Sequence, residues 1–270
     1  MKNFYIHTGG GLGDMIKHYF WGNHGWRYLK PIKEKYPNTK IKLITTCCNP
    51  IGHSLFENIP YLDEIEPHPW VDPNRPWEQL NKYIKDYNNL AKTKDLEITE
   101  SIPTEVYLNQ KDKETLAEYT PDNKYIIMHP FAGDSIRMNL PVQEYFPLAK
   151  LLINEFGYTV IVIGGQSQRV IGKISRTINE QFPYESDGLI NLINKVNLRV
   201  ACALTLSASH FIGTNSAFYC VRLATKKPAS ISMPNKILLS EKVPLRIQVN
   251  NKPYIITKQG KHFHINKGPK

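Results

Sequence analysis

A short apolar run, Phe4-Tyr5-Ile6-His7, passes directly into Gly9-Gly10-Gly11-Leu12-Gly13-Asp14. No other feature narrows the fold as much. A buried strand that breaks into residues without side-chain bulk, then resumes at helical spacing with Met15, Ile16, Tyr19 and Phe20, is the opening of a β-loop-α unit. Trp26, Leu29 and Ile32 extend the apolar stripe, and Pro37 ends the helix. The run Ile41-Lys42-Leu43-Ile44-Thr45 then supplies a second strand, so a parallel sheet is expected with the glycine loop at its hinge.

From Glu66 to Trp77, four prolines (Pro67, Pro69, Pro73, Pro76) predict an ordered surface loop, with Trp70 and Trp77 either anchoring it by packing, the favoured reading, or forming a shelf for an acceptor. Residues 82–94 read as a polar helix, and the charged stretch from Asp112 to Pro121 as a connection between domains, with the boundary near Thr120. Alternation then restarts. Strands are expected at Tyr125–Met128, Tyr158–Ile163, His210–Ile212 and Ala229–Ser232, and helices at Gln143–Phe156, Arg169–Phe182, Leu198–Leu206 and Ala217–Ala224. Two α/β halves, 1–120 and 121–270, predict a cleft where they meet.

With 270 residues, 41% of them hydrophobic and 21% charged, the chain falls among soluble globular proteins, and no run approaches a membrane span of about 18 apolar residues. No secretory signal is read at the start, so the expected compartment is cytoplasmic. Cys47 and Cys48 are adjacent while Cys202 and Cys220 stand alone, which gives neither a zinc spacing nor a disulfide framework. Lysine and arginine number 34 against 24 acids, a net +10. Much of that excess is local: Lys242, Arg246, Lys252, Lys258, Lys261, Lys267 and Lys270 follow Glu241 with no acid among them. Such a basic tail concentrates anionic partners such as phosphates, nucleic acid or acidic glycolipid, and its ordinary alternative is a solvated, partly disordered end.

Three turns follow predicted strands: Gly9 to Asp14, Gly164-Gly165, and Gly213-Thr214-Asn215-Ser216. Turns of this kind gather at the carboxyl edge of a parallel sheet, where helix N-termini offer unpaired N–H groups to anions. The first lacks the G-x-G-x-x-G spacing and the second strand ends in Thr45-Thr46 without an acid, which disfavours a nicotinamide dinucleotide and a dinucleotide oxidoreductase. No P-loop is present. Asp14 reads two ways, as a general base or as a carboxylate that complements its helix dipole. Arg137 has the planar fork to grip a diphosphate, against the reading of a solvated surface arginine; His129 is a strand-end histidine. His262 and His264 alternate in the basic tail without a nearby carboxylate, a weak metal signal.

The order of these pieces resembles glycosyltransferase family nine, the heptosyltransferase-like enzymes. The likeness rests on Gly10-Gly11-Leu12-Gly13-Asp14-Met15-Ile16, on Ile127-Met128-His129-Pro130-Phe131-Ala132-Gly133 running to Leu140-Pro141, on Val160-Ile161-Val162-Ile163-Gly164-Gly165, and on Asn191-Leu192-Ile193 through Phe211-Ile212-Gly213-Thr214-Asn215-Ser216-Ala217. The resemblance implies a GT-B fold, two Rossmann-like domains facing each other across a cleft, with residues 1–120 binding the acceptor and 121–270 the nucleotide-sugar donor. It further implies Asp14 as the base, Gly11 and Gly13 as room for the acceptor, and His129, Arg137, Gly164, Gly165, Gly213, Thr214, Asn215, Ser216 and Ala217 on the donor. The last block usually reads Gly-Thr-Asp-Ser-Gly followed by histidine; here Asn215, Ala217 and Cys220 stand at the acid, the second glycine and the histidine.

The expectation is therefore an inverting, metal-independent transfer of a sugar from a nucleotide-diphosphate donor to an acceptor hydroxyl, with no bound cofactor. The acceptor is an anionic lipopolysaccharide-like glycan or hydroxylated bases of DNA, and contact with a membrane would be peripheral. The altered last block motivates a rival reading, a nucleotide-sugar binding protein without catalysis.

Overall fold

A computed structural model describes residues 3–21, 33–47, 49–67, 106–131, 142–171, 174–214, 216–225, 227–232, 245–249, 252–259 and 262–267. Arg137, Asn215, Trp70, Trp77 and the expected helix at 82–94 lie outside the described residues. The chain divides into two compact units. The first comprises Met1–Glu114, Ser167–Ile178 and Leu198–Val200, and the second Thr115–Gln166, Asn179–Asn197 and Ala201–Lys270.

In the first unit, β1 (Asn3–Gly10), β2 (Lys40–Cys47) and β3 (Glu64–Pro67) form a parallel sheet in that order. The strand β1 runs through Gly9 and Gly10, two residues further than the glycine turn predicts, and α1 (Leu12–Trp21) begins one residue later. Glu66 and Pro67, expected in a loop, close β3; a proline lacks a ladder donor, and the last position of this strand tolerates it. Charge zips the β2–β3 pair, since Lys42 meets Glu64 at 2.9 Å and also Glu66, and Lys40 meets Glu64 at 3.0 Å. Hydrogen bonds from Lys42 to Glu64 and then Glu66 raise the lysine pKa.

Residues 110–119 are a helix, α2 (Gln110–Tyr119), rather than an open connection. Its start is a reciprocal cap: Asn109 Oδ1 accepts from Asp112 N at 2.8 Å, and Asp112 Oδ2 accepts from Asn109 N at 3.3 Å. Asp112 is buried because Arg199 Nε donates to it at 2.7 Å; the same guanidinium reaches Ser54 O at 2.6 Å and the Glu57 carboxylate. Removing one member would strand buried charge, at about 3–5 kcal/mol.

The second unit holds a five-stranded parallel sheet in the order β10-β9-β4-β5-β8. Its strands are β4 (Tyr125–His129), β5 (Thr159–Val162), β8 (Leu189–Asn191), β9 (His210–Thr214) and β10 (Ala229–Ser232), alternating with α3 (Tyr145–Phe156), α4 (Leu198–Ser207) and α5 (Ala217–Ala224). Ile126, Met128, Val160, Val162 and Ile212 bury one face against Tyr145, Leu148, Ala149 and Leu152 of α3. A fully buried aliphatic side chain contributes about 1.5–3 kcal/mol, so this layer dominates the unit's stability. Residues 169–182, expected as a helix, contain strands instead: β6 (Gln166–Ile171) and β7 (Ile174–Asn179) pair as a two-stranded sheet.

Arg222 of α5 is fully buried and is satisfied by backbone oxygens: Nη1 donates to Thr205 O at 3.1 Å and Ala208 O at 2.8 Å, Nη2 to Ser209 O at 2.8 Å and Nε to Pro228 O at 3.1 Å. These carbonyls include the end of α4, where orphan acceptors and the negative pole of the helix favour a cation. Burial lowers the arginine pKa to about 10. Cys202 and Cys220 are buried and outside any disulfide, as expected. The basic end is an antiparallel sheet rather than a tail, built from β11 (Leu245–Val249), β12 (Lys252–Gln259) and β13 (His262–Lys267).

Candidate functional site

Strand order fixes where each unit can receive a ligand. In the second unit, β4 leads through α3 to β5 on one side, whereas its neighbour β9 leads through α5 to β10 on the other. The connections diverge, so a crevice opens at the carboxyl ends of β4 and β9. Those ends are His129 and Thr214, and His129 pairs with Gly213. A Cβ on Gly213 would lie 2.2 Å from His129 O, so only glycine lets the two strands approach this closely.

Around that point the polar groups interlock. Thr214, fully buried, donates its hydroxyl to Phe131 O at 2.5 Å and ties the segment after β4 to β9. Ser216 occupies the N-cap of α5 in extended conformation but makes no side-chain cap bond; its Oγ instead lies 2.9 Å from His129 Nδ1. The His129 ring is buried, edge-on to Phe131 and Phe218 at centroid distances of 5.6 and 4.8 Å. The helix therefore starts with its dipole and first N–H groups undiminished by its own cap residue, an arrangement that favours an anion.

Glu180 joins this cluster, and it lies in a stretch, residues 169–182, whose apolar spacing reads as a helix and points to no site. Its Oε2 accepts from Gly165 N at 2.8 Å and lies 3.8 Å from His129 Nε2. A Cβ on Gly164 would come within 2.6 Å of that oxygen. Asn194 Oδ1 accepts from Gln166 N, which completes the Gly164–Gln166 turn. His129, Gly164, Gly165, Gly213, Thr214 and Ser216 are thus brought together at one sheet edge, with Ala217 as the first residue of α5.

The first unit presents a different helix start. Asp14 lies in the opening turn of α1, exposed, and its Oδ2 accepts from Gly11 N at 3.1 Å. Gly10 has φ +117°, and a Cβ there would lie 2.9 Å from Asp14 Cβ, so bulk and backbone both require glycine. Gly11 and Gly13 flank the carboxylate without side chains. Among the described residues no group of three histidine, cysteine or acidic side chains could hold a metal.

No protein-family model matches the chain, and no curated protein does. Solved structures do. The glycosyl transferase family 9 protein from Veillonella parvula is 12% identical, with a TM-score of 0.53 over 84% of this chain and 79% of that one. The E. coli ADP-heptose lipopolysaccharide heptosyltransferase II is 15% identical, with a TM-score of 0.50 over 93% of this chain and 92% of that one. The chain shares their α/β architecture with parallel sheets, the GT-B class that the sequence blocks imply.

Proposed function

We propose that this protein is an inverting glycosyltransferase that moves a sugar from a nucleotide-diphosphate donor, of which ADP-heptose is the first to test, to the hydroxyl of an anionic acceptor of the cell-surface glycan type. The observation that carries the reading is the α5 start at the divergence of β4 and β9, where the Ser216 hydroxyl is held by His129 rather than by its own helix. On this reading the second unit binds the donor and the N–H groups opening α5 receive its diphosphate, with Arg137 as a further cationic contact. The first unit serves the acceptor. Asp14 takes the proton as the acceptor oxygen bonds to the anomeric carbon; the bond from that carbon to the diphosphate oxygen breaks, and the charge leaves with the nucleotide. None of these steps calls on a metal ion.

The rival reading, donor binding without transfer, draws on one observation: the Asp14 carboxylate is engaged with Gly11 N, as a purely structural cap would be. Incubation with ADP-heptose and a panel of nucleotide sugars, followed by phosphorus NMR, separates the two. Release of nucleoside diphosphate that depends on acceptor is expected; tight donor binding with no release, whatever the acceptor, would favour the binding protein.

A further inference from the structure

His129 stands between a hydroxyl and a carboxylate. On one side its Nδ1 lies 2.9 Å from Ser216 Oγ; on the other its Nε2 lies 3.8 Å from Glu180 Oε2, an oxygen that also accepts from Gly165 N at 2.8 Å. A carboxylate offers lone pairs alone, so the ring nitrogen that faces it carries the hydrogen. In the neutral ring Nδ1 is then a bare acceptor, and the Ser216 hydroxyl donates to it. That bond uses the one proton Ser216 has. The side chains of His129 and Glu180 are only 6% and 14% exposed, so water screens the pair poorly. Among the described residues no other charged side chain pairs with the ring, and its aromatic neighbours Phe131 and Phe218 are apolar.

We propose that His129 takes up a proton from solvent when a nucleoside diphosphate binds at the α5 start, and that the resulting imidazolium, acting through Ser216, helps to hold the diphosphate. A phosphate oxygen accepts hydrogen bonds and gives none, and Ser216 has no cap bond to restrain its hydroxyl, so that hydroxyl turns its hydrogen to the anion. Ser216 Oγ then presents lone pairs to Nδ1, and the contact survives if Nδ1 brings a hydrogen of its own. Shifting the hydrogen over from Nε2 would set a ring lone pair against the Glu180 carboxylate. A proton gained from solvent satisfies both sides at once, with Nδ1 donating to Ser216 and Nε2–H still facing Glu180. Charge favours the same outcome, because a neutral ring would separate two anions in a poorly solvated place, whereas an imidazolium attracts both. His129 is thus a positioning residue that acts on the ligand through Ser216. The inference rests on the reading of the α5 start as the diphosphate site.

Calorimetric titration of the full chain with ADP, UDP, GDP and CDP in turn, in two buffers of different ionisation enthalpy, counts the protons; about pH 7.5 suits it, since the terminal phosphate of the free nucleotide is already ionised there. Wild type should take up roughly one proton more per bound nucleotide than His129→Asn does, a difference that removes any proton exchanged by the nucleotide itself. Affinity of the wild type should fall by up to about tenfold per pH unit above neutrality, and that of His129→Asn should be nearly flat. Ser216→Ala cuts the link without touching the ring and should lose the same proton, while Ser216→Thr should regain it. Glu180→Gln keeps an acceptor for Gly165 N but removes the charge, and should lose most of the uptake with a severalfold weaker affinity. Thermal melting verifies that each variant is folded. Nucleotide binding by the wild type with no proton uptake would overturn the proposal, as would equal uptake by wild type and Ser216→Ala. No heat with any of the four nucleotides would instead remove the diphosphate site itself, and this inference with it.

Discussion

Two helices begin just beyond parallel strands, and they treat their N-termini in opposite ways. The start of α1 is closed by its own carboxylate, Asp14 reaching back to Gly11 N. The start of α5 is left without a side-chain cap because the Ser216 hydroxyl is engaged with the ring of His129, a residue of another strand. A helix end that already carries its own negative charge repels a second anion; an end with an uncommitted dipole attracts one. The same local geometry thus yields complementary electrostatics, and the difference lies in one capping choice.

The largest expected effect comes from removing the negative charge at the first helix. Asp14→Asn should lower turnover by about 10²–10⁴-fold, the usual worth of a general base, while nucleoside-diphosphate affinity stays unchanged. Steady-state kinetics beside calorimetric titration read both; unchanged turnover would erase the functional contrast between the helices. Gly213→Ala should be next. Its methyl would collide with His129 O, so a loss of about 1–3 kcal/mol in unfolding free energy is expected, with weakened donor binding. Chemical denaturation measures it, and full wild-type stability would show that β4 and β9 tolerate a wider spacing.

Acid should weaken the second unit through β9. Burial, and secondarily Arg222, pushes the His210 pKa down to about 3, so between the ordinary value of 6.5 and 3 the unfolded chain takes up a proton that the folded one refuses. Stability contributed at β9 is present above pH 6.5 and falls as pH drops through that window, by up to about 1.4 kcal/mol per pH unit. Hydrogen exchange at β9 amides should accelerate accordingly, and His210→Phe should flatten the dependence. The smallest effect belongs to Ser216→Ala, which leaves buried His129 Nδ1 without that partner and should cost about 0.5–1.5 kcal/mol in stability and a severalfold loss of donor affinity. Ser216→Thr should restore most of it; no rescue would argue that the hydroxyl does not position the turn.

Much of this framework could be read from residue order alone. Continuous apolar runs at Tyr125–Met128 and Tyr158–Ile163, and the stripe from Gln143 to Phe156, are strong period signals and became β4, β5 and α3. What escaped were sheets joined by short links. Val170, Ile174 and Ile178 fit helical spacing, yet only Gly172-Lys173 separates β6 from β7, a dipeptide that favours a hairpin. Asn250-Asn251 and Gly260-Lys261 separate the last three strands in the same way, and there the net charge masked the alternation. The helix α2 was hidden because its stability comes from the Asn109–Asp112 cap and the Arg199 pair rather than an apolar stripe. At the candidate site, Asp14 and the Gly213–Ala217 turn were visible as motifs. Glu180 was not, since its partners Gly165 and His129 lie 15 and 51 residues away.

Backbone amide chemical shifts followed during titration with a nucleoside diphosphate test the contrast between the helix starts directly. The account predicts concentrated shifts at Ser216, Ala217 and Phe218, with Gly11 through Met15 little changed. Saturable shifts centred on Gly11 through Met15, with the α5 start unmoved, would contradict it.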